Sequence, residues 1–123
     1  MSAARSTPGS LTISEAAVAK VANYAASQVP GIAAMGRPGL LRNLVRGPTQ
    51  GVAAEVGEQQ AALDLFVIVE FGIDLREAAA EVRQRVADAV LLMAGRRVVE
   101  VNIAVTGIRL PEATEEQPAP RVL

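Results

Sequence analysis

Four acidic residues in this 123-residue sequence are spaced in a way that could support chemistry. Glu70, Asp74 and Glu77 follow one another around Gly72 in the stretch "EFGIDLREAAAEV", and Glu100 lies in a later apolar segment. Two carboxylates that converge in a cleft can serve as general acid and base, or can bind a hard cation. Glu70 with Asp74, or Glu70 with Glu100, is the pair that such a site would use.

The same acids also fit an ordinary structural role. Asp74 directly precedes an apolar stripe at helical spacing, and Glu77 follows it by three residues, which is a variant of the capping box with Asp as the N-cap. The sequence contains neither His nor Cys, the residues that most often supply a general base, a nucleophile or a metal ligand. We therefore predict a helix cap at Asp74 and Glu77, and neither a catalytic residue, a metal site nor a cofactor.

Hydrophobic periodicity predicts two helices. The first runs from about 14 to 29, with Ser14 as its N-cap and Pro30-Gly31 as its end. The second begins after Asp74 and ends at Gly95. Three apolar or alternating segments predict strands; they read "GVAAEV", "AALDLFVIVEFG" and "VVEVNIAVTGI". Before the first helix, "LTIS" predicts a short strand or a lead-in.

The predicted order of elements is therefore β-α-β-β-α-β. The short turn "GEQQ" predicts an antiparallel hairpin, and the second helix predicts a right-handed crossover between parallel strands. This favours an α+β two-layer sandwich, with a small mixed sheet and two helices on one face. We expect a disordered leader over 1–10, one domain over 11–110 that includes a basic loop over 32–50, and a disordered acidic tail over 111–123.

The strand that contains Phe66 predicts an interaction surface. If Leu63 and its alternate neighbours face the helices, then Phe66 and Ile68 lie on the opposite face, where large apolar groups indicate a partner or self-association. The last strand adds polar residues to this face. The predicted surface consists of Phe66, Ile68, Glu70, Glu100, Asn102 and Ala104. Alternatively, the first strand, the basic loop or a tail covers the two apolar side chains.

A second candidate site lies in the basic loop. Gly36 to Gly39 reads "GRPG", which has the outline of the GXXG loop of KH domains, and Arg37, Arg42 and Arg46 add positive charge. Pro38 removes a backbone donor, however, and no aromatic residue flanks the loop for base stacking. With a net charge of −1 as well, a KH-like module that binds single-stranded RNA is the alternative rather than the leading hypothesis.

Taken in order, four segments resemble the alkaline shock protein family, the Gls-type envelope stress response proteins of Gram-positive bacteria. They are "ISEAAVAKVANYAASQVPGI", "GVAAEV", "LDLFVIVEFGIDLREAAAEVRQRVADAV" and "VVEVNIAVTGI", and they span about residues 11 to 110. The aromatic-Gly pair Phe71-Gly72 stands where the family has Tyr-Gly. These motifs are structural, so the resemblance transfers no catalytic residue.

The resemblance implies a non-enzymatic, cytoplasmic scaffold protein linked to envelope stress. It implies that the chain self-associates and binds a small membrane-anchored protein, which would hold it at the inner face of the cell membrane without direct membrane insertion. The loop over 32–50 and the short acidic tail depart from the family pattern, so the resemblance defines neither the partner nor the oligomeric state.

Overall fold

The computed structural model of the protein describes residues 7–37 and 51–111. Within them the chain forms two α-helices and four β-strands. In chain order these are α1 (Glu15–Ser27), β1 (Ile32–Met35), β2 (Val52–Val56), β3 (Gln60–Glu70), α2 (Leu75–Ala94) and β4 (Arg97–Arg109).

Strand β3 is the centre of the sheet. Along one edge it pairs with two short antiparallel strands in tandem: β2 covers Ala61–Leu65 and β1 covers Val67–Val69. Along the other edge it pairs in parallel with β4 over its whole length. The sheet is therefore mixed, as predicted, and its two edges differ in direction.

Both helices begin where the sequence predicts. The Ser14 side chain accepts a hydrogen bond from the Ala17 N–H at 3.0 Å, and Asp74 Oδ1 accepts from the N–H groups of Arg76 and Glu77 at 3.0 and 3.2 Å. These bonds satisfy donors that the first turn of a helix leaves open. Helix α2 ends at Gly95, whose φ of 68° is the left-handed conformation that glycine adopts at low cost.

The core lies between the two helices and one face of the sheet. Alternate β3 residues from Ala61 to Val69 are buried against apolar residues of both helices, because successive strand residues point to opposite faces. Among the most deeply buried side chains are Val18, Leu63, Leu65, Val67, Val82, Val86 and Val90. The predicted α+β two-layer sandwich with two helices on one face is confirmed.

One strand was predicted in the wrong place. Residues 11–14 form no strand; Ile13 packs against the core from outside the sheet, and Leu11 is 92% exposed. The missing strand is β1, inside the segment predicted as a basic loop over 32–50. Since β2 covers only the first half of β3, the second half needs another antiparallel partner, and β1 provides it.

Several predictions concern residues outside the described ranges. The leader is described only over 7–10, where it forms no helix or strand. Most of the acidic tail and of the predicted basic loop lie among the residues that the structure does not describe. The domain boundaries therefore stay predictions.

Strand β4 departs from the simple alternation that its sequence predicts. Its register with β3 shifts twice, and the pairing passes over Val99 and Thr106. Val99 is 52% exposed, whereas Thr106 is partly buried, with its Oγ1 3.2 Å from the Val67 carbonyl oxygen of β3. The two β-bulges therefore bring Val98 and Ile108, which lie outside them, onto the same helix-covered face as the apolar residues between them.

Candidate interaction surface on the open sheet face

The structure places all six residues of the predicted surface on the sheet face opposite the helices. We call this the open face. Its β3 and β4 members are adjacent in the register as Ala62 with Glu100, Asp64 with Asn102, Phe66 with Ala104, Ile68 with Gly107, and Glu70 with Arg109. Residues that pair across a sheet share a face, so these side chains form one continuous surface.

The apolar part of the open face has a cationic cover. Phe66 and Ile68 are partly buried although neither helix lies on this side of the sheet. The Arg37 guanidinium carbon lies 4.3 Å from the centroid of the Phe66 ring, which is the geometry of a cation–π contact. The first arginine of the basic loop thus lies over the strand, in agreement with the alternative that this loop covers Phe66.

Beside this apolar part lies a shallow acidic depression. Asn102 Nδ2 donates to Asp64 Oδ1 at 2.9 Å and to Glu100 Oε2 at 2.8 Å. One amide group therefore binds two carboxylates and keeps them close together. The depression has a volume of about 220 Å³. It is lined by Ala53, Ala54, Glu55, Ala62, Asp64, Glu100 and Asn102. The open face therefore has an acidic part and an apolar part side by side.

Three of the four acids that suggested chemistry have a structural partner, whereas Glu77 contributes only its backbone N–H to the cap of α2. Glu70 forms an ion pair with Arg109, whose Nε donates to Glu70 Oε1 at 3.2 Å. Asp74 caps α2, and Glu100 accepts from Asn102. In residues 7–37 and 51–111, no cluster of three or more acidic side chains is placed to hold a metal ion. Capping and pairing thus account for the arrangement of these carboxylates.

Only the first half of the "GRPG" segment is described. Gly36 is buried; its N–H donates to the Phe66 carbonyl at 2.7 Å, and its own carbonyl accepts from the Thr106 hydroxyl at 2.7 Å. Both of its backbone groups are therefore used within the sheet, which weakens the comparison with a phosphate-binding loop. Pro38, Gly39, Arg42 and Arg46 lie outside the described residues.

The sequence prediction missed two charged members of the open face. Arg109 was not included because the bulge at Thr106 reverses the alternation of β4, so that its position cannot be read from parity. Asp64 was placed on this face by alternation but was not assigned to the surface, since its contact with Asn102 depends on the register between β3 and β4. Both residues can be assigned to the surface only once the pairing of β3 with β4 is known.

Residues 3–110 match the model of the alkaline shock protein family, which is described as having a cell envelope-related function. The chain belongs to this family. The match covers both helices and all four strands, and it confirms the resemblance inferred from the sequence motifs.

The chain is also similar to several bacterial proteins, one of which is named as a stress response regulator. YloU of Bacillus subtilis (strain 168) is 32% identical over 83% of this chain and 90% of its own length. YqhY of the same strain is 26% identical over 88% of this chain and 83% of its own length. A protein of Streptococcus pyogenes serotype M3 named "Stress response regulator gls24 homolog" is 27% identical over 89% of this chain, which spans 64% of that protein.

A solved structure shares the fold. A variant of the MamM CTD has a TM-score of 0.50 and 15% identity, and the match covers 76% of this chain and 92% of that one. At this identity the likeness concerns the fold alone. In the part of the chain that the structure describes, neither helix combines the length and apolar character required to span a bilayer.

Proposed function

We propose that the protein is a non-enzymatic interaction protein of the envelope stress response, which self-associates and binds a small membrane-anchored protein at the inner face of the cell membrane. Membership of a family with a cell envelope-related function supports the setting. The observation that supports an interaction role most directly is the open face, where Phe66 and Ile68 lie on a sheet surface that neither helix covers.

The chemistry of the open face suits a protein partner. Protein interfaces combine an apolar centre with a polar rim, and aromatic residues and Arg are enriched in them. Here Phe66 and Ile68 form the apolar centre, while Arg37, Asp64 and Arg109 contribute charges of both signs around it. Such a rim would orient the partner, and the centre would supply most of the binding free energy.

A membrane pull-down tests this function. Tagged protein would be incubated with detergent-solubilised membranes of the native host, and the captured proteins would be identified by mass spectrometry. We expect the wild-type chain to retain a small membrane protein that Phe66→Asp and Ile68→Asp lose. An aspartate at the centre of an interface leaves a buried charge without a partner, which costs several kcal/mol or roughly a hundredfold or more in affinity.

Leu92→Asp is the matched control, because Leu92 is an 85% exposed apolar residue of α2, on the helical side of the molecule. This variant also gains an aspartate but leaves the open face unchanged, so it should capture the same membrane proteins as the wild type. Equal capture by wild type and both open-face variants would reject the open face as the partner site. Failure of the wild type to retain any membrane protein would reject the membrane-anchored partner.

A further inference from the structure

The outer edge of β4 is a long strand edge available for pairing. In the described part of the chain β4 pairs only with β3, and its 13 residues make it the longest strand of the sheet. A strand edge presents unpaired N–H and C=O groups that readily pair with another strand. The opposite margin of the sheet is divided between the short strands β1 and β2, of four and five residues, so β4 offers the longest continuous edge for a further strand.

Apolar side chains accompany this edge on the helix-covered face. Val105 and Ile108 are 43% and 56% exposed, although they share a face with their buried register partners Val67 and Val69. Helix α2 thus leaves the margin of the sheet open. A neighbouring strand that continued the sheet would cover both residues and remove apolar area from water.

The charges on β4 favour a second copy of the same strand. Suppose that two β4 strands pair antiparallel about a two-fold axis at Ala104. Glu100 of each copy then lies opposite Arg109 of the other, because the bulged residue Thr106 has no partner and is not counted in the register. Opposite charges directly across two strands stabilise the pair. A two-fold axis at Ile103 would instead place Arg97 opposite Arg109.

The same register pairs the apolar residues of the helix-covered face. Val101 lies opposite Ile108 of the other copy, and Ile103 lies opposite Val105. Because the axis is perpendicular to the sheet, the helices of both copies lie on one side and the two open faces lie together on the other. We infer that β4 is a homodimer interface, through which two copies form one continuous sheet.

One helix side chain lies at the edge of β4 where the second copy would pair. Arg83 of α2 reaches the Val101 carbonyl of β4, with its Nε donating at 3.3 Å. An arginine over a strand edge partly covers it in the monomer, in the way that natural proteins protect such edges. The dimer proposed here rests on the self-association proposed above and gives it a defined register.

Single cysteines test the register, because the natural chain contains none. Residues directly opposite in antiparallel strands have Cα atoms about 4.5–5.5 Å apart, within the range that a disulfide spans. Ala104→Cys places one thiol on each side of the axis. We expect it to form a disulfide dimer rapidly under mild oxidation, whereas Ala53→Cys, an exposed alanine of the open face on β2, stays mostly unlinked.

Charge reversal tests the complementarity by sedimentation equilibrium. Glu100→Arg places like charges at both ends of the pairing and should weaken the dimer about five- to tenfold. Adding Arg109→Glu should restore part of the affinity, because the new carboxylate also lies beside Glu70. Glu55→Arg is the control. Glu55 is an exposed acid of the same face, but it lies on β2, on the other side of β3 from β4.

Three outcomes are decisive. Preferential cross-linking at position 104, with a dimer sensitive to Glu100→Arg but not to Glu55→Arg, supports the β4 interface. Equal cross-linking of both cysteine variants, or a dimer that Glu100→Arg does not weaken, overturns this interface and leaves self-association standing. A wild-type chain that is monomeric at every concentration up to about 1 mM, a range in which even millimolar dissociation would be visible, overturns both.

Discussion

At the scale of single residues, the acidic stretch after β3 shows how position decides the role of a carboxylate. Asp74 Oδ1 accepts hydrogen bonds from two backbone N–H groups in the first turn of α2, and Glu70 forms an ion pair with Arg109 on the neighbouring strand. Both roles use the negative charge to satisfy donors or to pair a cation. The spacing that suggested acid–base chemistry is therefore the spacing of a strand end, a glycine turn and a helix start.

Replacing Asp74 with Ala should lower the free energy of unfolding by about 1 kcal/mol, because two N–H donors of the first turn lose their acceptor. Urea denaturation followed by circular dichroism would measure the change. Asp74→Ser should recover most of it, since serine is also a good N-cap.

Asp88→Ala is the matched control in the same helix. Asp88 is exposed and accepts a hydrogen bond from Gln84 four residues earlier, a type of contact worth about 0.2–0.5 kcal/mol. We expect a change within about 0.5 kcal/mol, since alanine also has the higher helix propensity. Equal losses for Asp74→Ala and Asp88→Ala would show that the cap contributes nothing specific.

At the scale of elements, the sequence predicted what depends on local periodicity and missed what depends on pairing. Both helices, the hairpin from β2 into β3 and the parallel β4 follow from apolar spacing and turn residues. Strand β1 was missed because "IAAM" is short and lies between glycines, and it exists because the second half of β3 has an uncovered edge. The bulges in β4 were missed for the same reason, since a bulge is defined only against a partner strand.

The junction between β1 and β2 gives a prediction at this scale. The Phe66 N–H donates to the Gly51 carbonyl, and the Gly36 N–H donates to the Phe66 carbonyl, so two glycines meet opposite one residue of β3. A Cβ at Gly51 would lie 2.8 Å from the Gly36 nitrogen, and the φ of 84° at Gly51 disfavours any side chain. Gly51→Ala should therefore destabilise the protein by about 2–4 kcal/mol, from backbone strain and steric overlap together.

Gly72→Ala separates these two causes. Gly72 has a similar φ of 96°, but a Cβ there would meet nothing within 4 Å. It should cost only the conformational strain, about 1–2 kcal/mol, in the same urea titration. If both variants lose the same stability, the close approach of the two glycines makes no contribution.

At the scale of the whole molecule, the two proposed surfaces do not compete. The apolar centre of the open face, Phe66 and Ile68, lies on β3, whereas the β4 interface uses the backbone groups at the outer edge of β4 and the adjacent side chains of Glu100 and Arg109. In the proposed dimer both open faces point in the same direction. Two partner sites that face one way can engage two anchored molecules in the same membrane at once.

Such a dimer should be held at the membrane by avidity. Once one site is bound, the second binds at a high local concentration, which can raise the overall affinity by about 10²–10⁴-fold without a new contact. Ile108→Lys places a charge at the β4 edge, on a side chain that is already 56% exposed, so the monomer should fold normally while pairing weakens. We expect this variant to require about a hundredfold more protein for half-saturation of host membranes in a co-sedimentation titration.

The comparison with Phe66→Asp decides between loss of avidity and loss of the site. Phe66→Asp should remain dimeric yet fail to sediment with membranes at any concentration tested, because its open face is altered. Ile108→Lys should reach the same maximum as the wild type at higher concentration, because each monomer keeps an intact open face. If Ile108→Lys is monomeric but sediments at the wild-type concentration, one site is sufficient and pairing through β4 does not contribute to membrane retention.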